Sequence, residues 1–220
     1  METVPQLDQL LADIQLNKLV SGIQSKLNEA LHSLTRREVN LNLKTSGLMP
    51  ITEAQKLVQN ISGQATTVYI PIMGDVVGDI FVFLPGELAN GLADILIGKE
   101  PGTTITIGEF EDSAIKEFGN ITFGVIITEI ANALKLPMML TVPNLATDMA
   151  NALLDQVLIE YGETAMDMLA FELPFTVEPI SLEGNFLILF DKKSSDLILS
   201  KLTGLNIKRS TVEGGACGEH

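Results

Sequence analysis

Ser113, Glu117, Asn120 and Gly124 stand at i, i+4, i+7 and i+11 within the stretch EDSAIKEFGNITFG. A helix advances about 100° per residue, so with Ser113 at zero Glu117 falls near about +40°, Asn120 near about −20° and Gly124 near about +20°. A hydroxyl, a carboxylate, a carboxamide and a bare backbone then share one narrow stripe. A carboxamide both accepts from and donates to a water while staying neutral, and a carboxylate one turn away can pair with a cation. A glycine inside a helix costs about 1 kcal/mol against alanine, and a bare patch beside Glu117 and Asn120 would let another surface come close. Two readings stand open here: a solvated helix face that tolerates a glycine, or a face built to receive a partner. Ile115, Phe118, Phe123 and Val125 fall on the opposite side, where they can pack on a sheet.

The elements that must hold this stripe follow from periodicity. A helix is expected from about Asp112 to Leu136, followed by a strand over MMLTVP and a helix over residues 145–162. Strands are expected over MLAFELPFTVEPIS and EGNFLILFD, then a helix over residues 194–204 ending at Gly204. The first half has the same order. Leucines and isoleucines recur near a 3.6 period over residues 6–35. EVNLNLKT alternates like a strand, ITEAQKLVQNIS reads as a short helix, and ATTVYIPIMG and GDIFVFLP read as strands. GELANGLADILIG reads as a helix closed by Gly98.

Set in register, GDIFVFLPGELANGLADILIG lies over GNFLILFDKKSSDLILSKLTG, with Gly78 on Gly184, Leu96 on Leu202 and Gly98 on Gly204. Strand-strand-helix repeats with short connections favour an α+β fold: a pseudo-symmetric duplication, with long helices packed on an antiparallel β-sheet. Each copy alone is too small to bury much, so the expectation is one domain over residues 1–205. It would consist of repeats at about 1–100 and 101–205, followed by a flexible tail, 206–220, that carries Cys217.

Composition narrows the chemistry. The chain has 220 residues, a hydrophobic fraction of 46 % and a formal net charge of −14. An acidic surface repels nucleic acid and anionic membrane, so neither is expected as a partner. The longest apolar run, residues 121–143, is interrupted by Glu129 and Lys135, which argues against a membrane span. The acidic residues near the N-terminus do not suit a signal peptide, and a single cysteine forms no disulfide framework within a chain; a cytoplasmic location is expected. With two histidines, His32 and His220, no His/Cys metal spacing exists, and neither a metal nor any cofactor of the chain's own is expected.

Pro143 adds a further coordinate. Ser or Asp, three residues, Glu, two residues, Asn, twenty-two residues and Pro is the spacing of Ser113, Glu117, Asn120 and Pro143. This pattern, with VPNLATDMANALLDQVLIEYGETA after it, resembles the signature of the CheC/CheX/FliY chemotaxis phosphatases, CheC-type. The resemblance implies duplicated halves with antiparallel strands and hydrolysis of the aspartyl phosphate of a CheY-like response regulator. It also implies that Mg²⁺ sits on that partner, and that the deamidase CheD is a possible second partner. It assigns catalysis to Glu117 and Asn120, motif support to Ser113 and Pro143, and close approach of the partner to Gly124. Ser113 would orient Glu117 or touch the partner, and Pro143 would end a strand beneath the helix. In the first half the same alignment puts Ile14, Lys18, Ser21 and Lys44 at the motif positions, so that site reads as degenerate. The alternative is a noncatalytic adaptor that binds a response regulator or CheD through the same stripe.

Overall fold

Two strands carry unbroken apolar runs, residues 80–84 and 186–190, because these stretches are covered on both faces. These are β4 (Gly78–Pro85) and β8 (Ile180–Phe190), which lie side by side at the centre of the sheet. The structure is a computed structural model and describes residues 4–61, 63–163 and 166–204. The expected tail and Cys217 lie outside the described residues.

The elements run α1 (Val4–Thr35), β1 (Val39–Leu41), β2 (Thr45–Pro50), a 3₁₀ helix (Ile51–Leu57), β3 (Gln64–Gly74), β4 and α2 (Gly86–Leu96). The same order follows as α3 (Glu109–Leu134), β5 (Met138–Leu140), β6 (Asn144–Met149), α4 (Ala150–Gly162), β7 (Asp167–Val177), β8 and α5 (Lys192–Thr203). The antiparallel sheet has the order β1-β7-β8-β4-β3-β5, with β2 also on β7 and β6 also on β3. Each half thus contributes a hairpin to the centre and lends its first two strands to the edge of the other half. The fold is α+β with an internal pseudo-twofold, and Phe81, paired with Leu187, stands beside the axis.

The duplication extends to single residues. Pro71 pairs with Asp79 across β3 and β4, and Pro174 pairs with Asn185 across β7 and β8. Arg36 and Lys135, 99 residues apart, close the two long helices in left-handed geometry at φ 53° and 54°. Gly98 and Gly204 take φ 76° and 69° after α2 and α5, as expected of glycines that follow a helix end.

One face of the sheet carries Val68, Ile70, Val82, Phe171, Phe175 and Phe186 against α1, α2, α3 and α5. The other carries Phe81, Phe83, Met168, Ala170 and Leu187 against the 3₁₀ helix and α4, through Leu57, Leu154, Leu158 and Tyr161. Among the described residues no helix is long and apolar enough to cross a membrane.

Three expectations are corrected. Residues 145–149 belong to β6, not to the helix that follows, because they pair along the free edge of β3 from Gln64 to Val68. EVNLNLKT is not one strand: β1 and β2 occupy separate stretches of the β7 edge. The short helix after β2 is a 3₁₀ helix that ends at Leu57.

Candidate functional site

The N-terminus of α3 is fixed before the stripe begins. Glu111 Oε2 accepts from the Gly108 N–H at 3.2 Å, while its Oε1 pairs with Lys99 Nζ at 3.1 Å. The Lys99 ammonium holds the Glu111 carboxyl below its usual range. Glu109, Glu111 and Asp112 place acidic side chains in the first turn, where the helix dipole favours them. The helix therefore starts at Glu109, one turn before the expected Asp112.

The buried side locks the rotation of α3. Ile115, Phe118, Phe123, Ile126 and Ile130 are buried. The Phe118 ring centroid lies 6.2 Å from that of Phe186, and Phe123 meets Phe186 edge-on at 79°. Burying each such ring contributes about 1.5–3 kcal/mol, so the orientation of the helix is firmly set. Val125, expected among these, is only half-buried.

The solvent side then carries Ser113, Glu117 and Asn120, all exposed, with half-buried Gly124 in line with them. A Cβ on Gly124 would meet open space, so a partner can approach the backbone there. Neither Glu117 nor Asn120 hydrogen-bonds to another described residue, which leaves both head groups available to water or a partner. Ser113 does not orient Glu117: its hydroxyl donates to the Glu109 carbonyl at 2.9 Å. Pro143 does not end a strand either. β5 stops at Leu140, and Pro143 is the last residue of the link into β6. It is half-buried.

Other features escaped the sequence reading. Phe110 and Ile105, beside the start of α3, are 69 % and 87 % exposed. On the other face of the sheet, a pocket of about 200 Å³ is lined by Thr67, Tyr69, Asn144, Val157 and Glu160. Next to it, Tyr69 and Tyr161 donate to buried Asp79 at 2.7 and 2.6 Å. Burial raises the Asp79 carboxyl, and it raises both phenols as well. This cluster is separated from the stripe by the sheet: Phe81 and Tyr161 lie in the core on one face, and Ile115 and Phe118 of α3 lie in the core on the other. Among the described residues no three His, Cys, Asp or Glu side chains converge to hold a metal.

A model of the CheC-like family matches residues 110–146, a span that holds the stripe and Pro143. The CheY-P phosphatase CheC of Bacillus subtilis is 25 % identical over 136 residues, which is 61 % of this chain and 65 % of that relative. The match thus spans a little under two thirds of the relative's length. Thermotoga maritima FliY superposes with a TM-score of 0.63 at 14 % identity, covering 93 % of this chain and 99 % of its own. A chain of the FliG–FliM complex from H. pylori gives 0.61 at 10 % identity over 86 % and 97 %. A CheC-like superfamily protein from Shewanella gives 0.52 at 13 % identity over 79 % and 97 %. At these identities the structural likenesses speak to the fold.

Proposed function

We propose that this chain, which belongs to the CheC/CheX/FliY family, acts in chemotaxis by removing the phosphoryl group from the aspartyl phosphate of a CheY-like response regulator. One observation carries the reading. Glu117 and Asn120 stand exposed, one turn apart, on a helix whose opposite side is locked in the core.

An aspartyl phosphate is already reactive, and a water must attack phosphorus in line. The regulator's own Mg²⁺ and lysine neutralise the phosphoryl oxygens. A positioned water is what remains to be supplied. The Asn120 carboxamide holds that water and stays neutral beside the anion, where a carboxylate would be repelled. The water oxygen bonds to phosphorus, the bond from phosphorus to the aspartyl oxygen breaks, and aspartate and inorganic phosphate result. Both of the water's protons leave with the phosphate, and the aspartate departs as its carboxylate. Glu117 pairs with the regulator's phosphate-site lysine and fixes the register of docking. Ser113 lies beyond Glu117 on the docking side, and Gly124 admits the partner's surface at the other end. No covalent intermediate on this chain and no cofactor of its own is required.

The test is phosphate release from a phosphorylated regulator. Asn120→Ala should lower turnover about a hundredfold, as loss of a positioning group does. The thermal midpoint should stay put, because an exposed polar side chain contributes little to the core. Full activity in a folded Asn120→Ala protein would overturn the water-positioning role. If the wild-type chain binds the regulator without hastening its dephosphorylation, the adaptor reading replaces this one.

A further inference from the structure

The connection between α2 and α3 is held more firmly than an exposed loop requires. Asp94 on α2 is fully buried. Its Oδ2 accepts from the Thr103 and Thr104 N–H groups at 2.8 and 3.0 Å, and its Oδ1 accepts from the Thr104 hydroxyl at 2.6 Å. Burial alone would raise this carboxyl, but the hydrogen bonds from Thr104, Thr103 and Gly102 outweigh it and hold the group below its ordinary value. Asn90, also on α2, donates to the Ile105 carbonyl at 3.0 Å. Lys99 bridges to Glu111 on α3, and that same carboxylate caps Gly108. The loop is thus tied to the helix before it and the helix after it.

The side chain this rigid loop displays is apolar. Ile105 is 87 % exposed, and Phe110 in the first turn of α3 is 69 % exposed. By helical geometry Phe110 falls about 60° from Ser113, close to the bearing of Glu117, and about 10 Å nearer the N-terminus. Exposed apolar side chains scattered singly are normal, and what sets Ile105 and Phe110 apart is that both stand where the chain leads into the polar stripe and that the loop carrying Ile105 is tied in place. The polar stripe supplies little affinity by itself, since solvent and salt screen an exposed ion pair and its long side chains lose freedom on pairing. Binding energy at protein interfaces concentrates on aromatic and aliphatic anchors, and an anchor held in place beforehand loses less entropy on docking.

We infer that Ile105 and Phe110 form the apolar anchor that seats the phosphorylated regulator, while Asn120 places the water at its phosphoryl group and Glu117 sets the register through the regulator's lysine. This rests on the function proposed above, and it commits the partner to an apolar patch beside its phosphoaspartate. Affinity and chemistry then reside on separate residues of one face.

Ile105→Ser and Phe110→Ser separate the two. Both side chains are exposed, so circular dichroism and the thermal midpoint should match wild type. Each variant should raise KM, and the Kd for beryllofluoride-activated regulator, about tenfold or more, with kcat within about twofold. If Asn120→Ala stops turnover while both serine variants keep wild-type KM and Kd, the anchor is wrong and the catalytic reading stands. If Asn120→Ala is fully active while the serine variants lose binding, the catalytic reading falls and the anchor stands. A regulator that does not bind the wild-type chain overturns both.

Discussion

A Cβ on Gly119 would lie 2.6 Å from Cγ1 of Val68 and 3.1 Å from its Cβ. The missing side chain lets α3 settle onto β3 in the turn between Glu117 and Asn120, which sets the height of the stripe. Gly119→Ala would gain about 1 kcal/mol of helix propensity and lose about 1–3 kcal/mol to overpacking. Val68 sits on a strand paired along both edges and has little room to give. A net loss of about 1 kcal/mol is expected in urea unfolding, with reduced turnover as the helix lifts. Adding Val68→Ala should recover part of the turnover. A Gly119→Ala protein that is both more stable and fully active would show that this contact does not place the stripe.

Lys44, which stands at the first-half counterpart of Pro143, has a structural task of its own. Its Nζ lies 2.9 Å from Oε1 of Glu172, a carboxylate that is 1 % exposed. Asn185 Nδ2 donates to the same oxygen at 3.2 Å. Removing one partner of a buried pair costs about 3–5 kcal/mol, but the lysine is 43 % exposed and solvent screens the pair, so the expectation for Lys44→Ala is about 1–2 kcal/mol. The double change Lys44→Met with Glu172→Met should restore most of the stability. Chemical denaturation of the three variants measures this, and a stable Lys44→Ala protein would dismiss the pair as a support of the fold.

Asp79 gives a pH dependence of known sign. Burial raises its carboxyl above the ordinary 3.8, and Glu160 and Asp191 add to the rise, against lowering bonds from Tyr161 and Tyr69. A carboxyl with a higher pKa folded than unfolded binds its proton more tightly in the native state. Its contribution is full below the unfolded value and is lost as pH rises through the folded one. Asn185 occupies the equivalent place in the other repeat, so the fold accepts a carboxamide there. Relative to Asp79→Asn, wild type should therefore lose stability as pH climbs from about 4 toward neutrality. Unfolding free energies of both proteins across that range test it. A difference that is flat, or that moves in favour of wild type, would contradict the assignment.

These cases mark what the sequence could and could not reveal. The angular stripe of Ser113, Glu117, Asn120 and Gly124 needs only helical geometry, and the two-repeat plan needs only the order of periods. Residues 145–149 misled because Leu145 and Met149 stand at i and i+4 and run straight into ANALL, so the helical period looks unbroken. Pairing to the β3 edge decided the matter, and no local pattern encodes that edge. The Ser113 hydroxyl could not be placed by spacing, because its bond to Glu109 competes with any bond to Glu117. The clamp on Asp94 joins a helix to residues in the following loop, and the Asp79 cluster joins three strands and a helix. Such contacts exist only once the chain is folded.

The last prediction is that one chain engages one regulator. The shared offset of 99 residues between Arg36 and Lys135 also relates β1 to β5 and β2 to β6, so the two halves align without ambiguity over these elements. That register sets Ile14, Lys18 and Ser21 on α1 against Ser113, Glu117 and Asn120 on α3. Lys18 is exposed where a carboxylate would meet the regulator's lysine, and like charges brought together in a docked interface cost several kcal/mol, roughly. Ser21 spends its hydroxyl on the Asn17 carbonyl at 2.8 Å and offers no carboxamide to a water. Lys44 is committed to Glu172. Lys18→Ala should leave native turnover unchanged, and Lys18→Glu with Ser21→Asn would at most rebuild a weak second site. Titration calorimetry with beryllofluoride-activated regulator should give a stoichiometry near one per chain. Two regulators per chain, or turnover lost on Lys18→Ala alone, would overturn the single-site reading.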